Sequence, residues 1–131
     1  MTIDALTQHI LADFSGSHVQ IIANGDRFFF IKGEDKFPFA TIVTGDNDYD
    51  NLSNLNREGF FRLNMGVGKE ILRELFPEED AVHDFTAQHT LFPHPMYHKL
   101  FWISIINPAA YEPLRQFLTS AWEKSARKPG W

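Results

Sequence analysis

Residues 53–76, SNLNREGFFRLNMGVGKEILRELF, hold a loop, a strand, a glycine turn and a helix in immediate succession. Phe61 and Leu63 alternate with Phe60, Arg62 and Asn64, the two-residue period of a strand over residues 59–65. Gly66-Val67-Gly68 interrupts that pattern, and from Lys69 the period lengthens so that Ile71, Leu72 and Leu75 share one helical face. Pro77 lacks the amide needed to continue, so this helix ends at Phe76. The flanking segments must therefore fit an α+β arrangement.

Upstream, Ile3, Leu6, Ile10 and Phe14 lie on one face of a first helix, with Thr2 or Asp4 placed to cap its free amides. Residues 18–23 and 27–31 read as strands joined at Asn24-Gly25, a hairpin signal because both residues tolerate positive φ. A third strand over residues 39–44 follows Pro38, where a missing amide does least harm. Residues 45–56 are polar and acidic and read as a loop. Its Asp46, Asp48 and Asp50 do not make a calcium loop, since Asn51 and Arg57 stand where a glycine and a bidentate glutamate are needed.

Downstream, Pro93-His94-Pro95 excludes regular helix, and residues 101–106 form an almost wholly apolar strand suited to the sheet interior. Asn107-Pro108 reads as a cap and first-turn proline opening a helix to Arg127, with Tyr111, Leu114, Phe117, Leu118, Ala121 and Trp122 inward. The expected fold is one α+β domain over residues 1–131. It has a mainly antiparallel sheet of about five strands, with N-terminal, middle and C-terminal helices packed on one face.

Composition narrows the chemistry. A chain of 131 residues fits one domain, and thirteen Phe, three Tyr and three Trp can fill its core without cysteine, of which there is none. Disulfides, thiolate metal sites and cysteine nucleophiles are excluded. No stretch approaches the ~20 apolar residues of a membrane span, and no signal peptide opens the chain, so a cytoplasmic location is the expectation. The net charge of −5 disfavours nucleic acid as a partner. Only the basic end of the last helix, Lys124, Arg127 and Lys128, with Lys99 and Trp131, offers a surface for it. An exposed edge strand would allow a homodimer.

Several short patterns are spread across this layout: Phe37-Pro38-Phe39-Ala40-Thr41, Ser53-Asn54-Leu55 with Arg57, Phe61-Arg62-Leu63-Asn64 with Gly66 and Lys69-Glu70, His94-Pro95 with Tyr97, and Trp102 with Asn107-Pro108. Together they resemble an uncharacterised family of small bacterial proteins, a domain of unknown function, from about Phe28 to Trp122. Gln88-His89 stands where that family is expected to carry a Leu-Asp pair. More remotely, the order of elements looks like the MmcQ/YjbR family, whose CyaY-like fold implies DNA binding through paired wings.

Two groups of residues carry candidate chemistry. Arg57, Arg62, Asn64, Gly66, Gly68 and Lys69, with His94 and Tyr97, point to a small polar or anionic ligand, or a protein partner, near a helix start. Glu70 occupies the hydroxyl position of a phosphate-binding loop, so no nucleotide loop is read there. His83, Asp84, His89 and His94 offer the imidazole and carboxylate of a metal-dependent enzyme but lack motif spacing. No cofactor is implied. The leading expectation is a ligand-binding protein of unknown function; nucleic-acid binding of the CyaY-like double-wing type and a His/Asp metal-dependent enzyme are the alternatives.

Overall fold

The computed structural model describes residues 1–127. Helix α1 spans Ile3–Asp13, and Thr2 caps it, its Oγ1 accepting the Ala5 N–H at 3.0 Å. Thr2→Ala is expected to lower stability by about 1 kcal/mol, read from urea unfolding monitored by circular dichroism. Strands β1 (His18–Ile21), β2 (Arg27–Phe30), β3 (Ala40–Val43) and β4 (Arg62–Met65) follow, then α2 (Lys69–Leu75), β5 (Leu91–Pro93), β6 (Ile103–Ile106) and α3 (Arg115–Arg127). The strands form one antiparallel sheet of six in the order β1-β2-β3-β4-β6-β5, one more than the about five expected. The addition is β5, three residues that pair with β6 at the sheet edge. No helix among the described residues is long and apolar enough to cross a membrane.

Register assigns every strand residue to a side. Ala40 opposes Met65, Ile42 opposes Leu63, and Met65 and Leu63 oppose Ile103 and Ile105. This apolar side packs against Leu6 and Ile10 of α1, Leu72 of α2 and Phe117, Leu118 and Ala121 of α3 in one continuous core. The helices therefore share a face of the sheet, as the periodicities require.

The other side is polar at its centre. Thr41 opposes Asn64, which opposes Ser104, while Arg62 sits between Val43 and Ile106. Arg62, Asn64 and Ser104 are nevertheless buried, because residues 44–57 and 94–102 fold over this face. Leu55, Phe92 and Ile106 make a small second core at one end of it.

One local expectation is overturned. Asn107-Pro108 does not open the last helix, whose first regular turn is a 3-10 turn at Glu112–Leu114 ahead of α3. Asn107 has φ 46°, and its side chain is committed elsewhere: Oδ1 accepts the Phe61 N–H at 3.0 Å and Nδ2 donates to Gln88 Oε1 at 3.1 Å. A side chain that ties the end of β6 to β4 and to residue 88 is not free to cap.

Candidate functional site

Arg62 is the centre of the polar face. Strand alternation turns it away from the helices, and at 0% exposure its guanidinium must find every partner within the protein. Nε donates to Asn64 Oδ1 at 2.8 Å, and Nη1 donates to Asp50 Oδ1 at 3.0 Å and Ser53 Oγ at 2.9 Å. Nη2 donates to Asp50 Oδ2, completing a two-pronged ion pair. The acidic loop thus supplies the counter-charge of the buried arginine. Asn64 extends the network, accepting from Ser104 Oγ at 2.7 Å and donating to Thr41 Oγ1 at 3.0 Å.

His94 closes the network from the other side of the sequence. Its Nδ1 accepts the backbone N–H groups of Met96 at 3.0 Å and Tyr97 at 2.9 Å, so that nitrogen bears the lone pair and the neutral ring keeps its proton on Nε2. Nε2 lies 3.2 Å from Arg62 Nη2 and 3.9 Å from the Asp50 carboxylate. Burial, reinforced by the adjacent Arg62 charge and opposed by Asp50, lowers the His94 pKa from 6.5 to about 3. The ring is neutral at physiological pH. It holds the turn that carries Tyr97, whose own ring lies 4.8 Å from it, centroid to centroid.

Above this network lies a cleft of about 580 Å³. Its polar floor includes Thr41, Asn64, Asp50 and His94, and Phe37, Tyr49, Met96, Tyr97 and Leu100 line it while remaining exposed. A concave, mainly apolar site with a few fixed polar groups is the usual form of a small-molecule pocket. Asp26 lines it too, held by the Thr44 N–H and hydroxyl at 2.8 and 2.9 Å.

Of the residues singled out in the sequence, Asn64, His94 and Tyr97 line this cleft, and Arg62 supports its floor from behind. Arg57 lies over the Phe60 ring, 3.8 Å from its centroid, and donates to the carbonyls of Ser53, Asn54 and Thr86. Gly66, Gly68 and Lys69 are not part of the cleft lining. The Gly66 and Gly68 amides donate to the carbonyls of Phe39 and Phe101, and α2 has only seven residues. The turn between β4 and α2 therefore does not line the cleft into which His94 opens. Gly68, at φ 96°, serves as the non-helical residue from which α2 starts.

The histidines are dispersed. His83 packs between Phe76 and Phe85, Asp84 accepts from Thr86, His89 Nδ1 contacts the Asn107 carbonyl, and His94 is in the network above. Among the described residues no group of three or more His, Asp or Glu side chains is placed to hold a metal ion. Lys128 and Trp131, proposed with the basic end of α3 as a nucleic-acid surface, lie outside the described residues. Asp26, Tyr49, Met96 and Leu100 enter the cleft without any local motif to announce them.

The chain belongs to DUF6194, a family of unknown function whose model matches residues 1–129. No curated protein and no solved structure matches it. The membership agrees with the resemblance to a domain of unknown function, whereas the likeness to the MmcQ/YjbR family is not confirmed.

Proposed function

We propose that this member of a family of unknown function binds a small organic molecule in the cleft over Thr41, Asn64 and His94. The observation that carries the reading is the pairing of a polar, internally bonded floor with an exposed apolar rim. Monomeric proteins seldom leave Phe37, Tyr49, Met96, Tyr97 and Leu100 exposed around one concavity without use. Arg62 and His94 act as positioning residues in this account. The Arg62 guanidinium and His94 Nδ1 are occupied by the protein, and the work of the two residues is to fix the floor and the turn at Tyr97.

The absence of Lys and Arg from the cleft lining, among the described residues, sets the reading against phosphate-bearing ligands, which rely on such charges. Trp102 lines the cleft and provides a local reporter. Screening a fragment library by amide and indole chemical shifts should yield ligands that move Trp102 and Thr41 together. Tyr97→Ala should weaken those ligands about tenfold while changing stability by under about 1 kcal/mol, since Tyr97 is half exposed. A library that shifts neither residue would end the reading.

A further inference from the structure

We propose that the cleft selects an organic cation, an ammonium or guanidinium carried on an apolar body, with Asp26 as its counter-charge and the surrounding aromatic rings as its walls. The inference rests on the cleft being the ligand site proposed above, and it is the charge inventory that extends it.

Two carboxylates line the cleft, and they differ in what balances them. Asp50 is neutralised by the buried guanidinium of Arg62. Asp26 is 7% exposed and is held by neutral donors: the Thr44 N–H and hydroxyl, and the Asn24 amide at 3.2 Å. No ion pair to Asp26 exists among the described residues. The neighbouring cation, Arg27, pairs instead with Asp4 at 2.9 Å on the helix side of the sheet. His94 contributes no positive charge, because its ring stays neutral above about pH 3. The cleft therefore presents one buried carboxylate that no cation among the described residues pairs with, an arrangement that is costly unless a cation or water meets it.

The walls suit the same partner. Phe28, Phe37, Tyr49, Tyr97 and Trp102 all line the cleft. An aromatic ring carries negative potential over its face, and several rings around one space attract an ammonium or guanidinium while repelling an anion. A compact metal ion fits poorly, because it demands several oxygen ligands and Asp26 already spends its oxygens on Thr44 and Asn24. A weakly hydrated organic cation needs only the field and the contact.

The test is calorimetric titration of the full chain with three probes of similar size: benzyltrimethylammonium, benzyl alcohol and benzenesulfonate. The Trp102 indole signal followed by NMR locates binding in the cleft. Benzyltrimethylammonium should bind at least about tenfold tighter than either other probe. Asp26→Asn, which keeps the side-chain shape, should bring it down to the level of benzyl alcohol. If that variant fails to fold, Tyr49→Leu decides, because Tyr49 is 84% exposed and its loss removes a ring without touching the core. That substitution should weaken the ammonium probe several-fold more than it weakens benzyl alcohol, and equal losses for the two would overturn cation selection. Equal binding of all three probes at Trp102 would overturn cation selection and leave the cleft as the ligand site. No binding by any probe would overturn cation selection as well, and if the fragment library is also silent, the ligand site goes with it.

Discussion

Replacing Arg62 with methionine is expected to lower the free energy of unfolding by about 3–5 kcal/mol, the usual cost of leaving one partner of a buried pair uncompensated. The guanidinium satisfies Asp50, Ser53 and Asn64 at once, so its removal strands a mostly buried carboxylate and takes a hydrogen bond from Ser53 Oγ and from Asn64 Oδ1. Lysine at the same position should recover little, since a point charge on a flexible stem cannot reproduce the two-pronged contact with Asp50. The stronger check is a double substitution. Arg62→Met with Asp50→Leu should be more stable than Arg62→Met alone, because an apolar pair carries no unpaired charge. Urea unfolding of the wild type, Arg62→Met, Asp50→Leu and the double variant measures this. A double variant as unstable as the sum of its parts would mean that the charge pairing is not what Arg62 contributes.

The second large effect is a pH dependence set by His94. The unfolded ring takes a proton near pH 6.5 and the folded ring only near pH 3, so the unfolded state binds more protons throughout that window. Stability from this group is complete above about pH 6.5 and falls as the pH drops, by up to about 1.4 kcal/mol per unit, until it is exhausted near pH 3. Carboxylates add their own slope in the lower part of the range, so the measurement is a difference. His94→Asn keeps a side-chain acceptor for the Met96 and Tyr97 amides and has nothing to titrate. The wild type should lead this variant at pH 7 and lose that lead on the way to pH 4. Parallel stability curves would show that the buried ring is not held neutral at a cost.

The sequence disclosed the fold where side-chain periodicity and backbone need agree. Leu63 and Met65 alternate with Arg62 and Asn64, Leu6 and Ile10 repeat at helical spacing, and Asn24-Gly25 turns β1 into β2, with Gly25 at φ 96°. It failed where one residue had two uses. Asn107 before Pro108 looks like a helix cap, yet the same side chain is needed to bind the Phe61 amide, a contact 46 residues distant that no local pattern records. The short edge strand Leu91–Pro93 carries too few residues to show a period, and only its pairing with β6 defines it.

The candidate site was half legible for the same reason. Arg62 and Asn64 stood out as polar residues in a strand, and His94 and Tyr97 as polar residues in a rigid proline segment. What joins them is tertiary: Asp50 reaches back 12 residues from a loop, and His94 comes from 32 residues further along. Two of the three cations that suggested an anion site are consumed by their own neighbours, Arg62 by Asp50 and Arg57 by backbone carbonyls and Phe60. Asp26, which we place opposite a cationic ligand, belongs to a hairpin turn whose sequence already has a structural explanation, and so attracts no notice.

The most direct test of the ligand site is the two-dimensional amide spectrum of the full chain, titrated with the best fragment from the screen. The expected shifts are concentrated at Thr41, Asn64, Asp50, the Met96 to Leu100 turn and Trp102, which surround the cleft. Shifts centred instead on Gly66, Gly68 and Lys69, with the cleft residues unmoved, would contradict it.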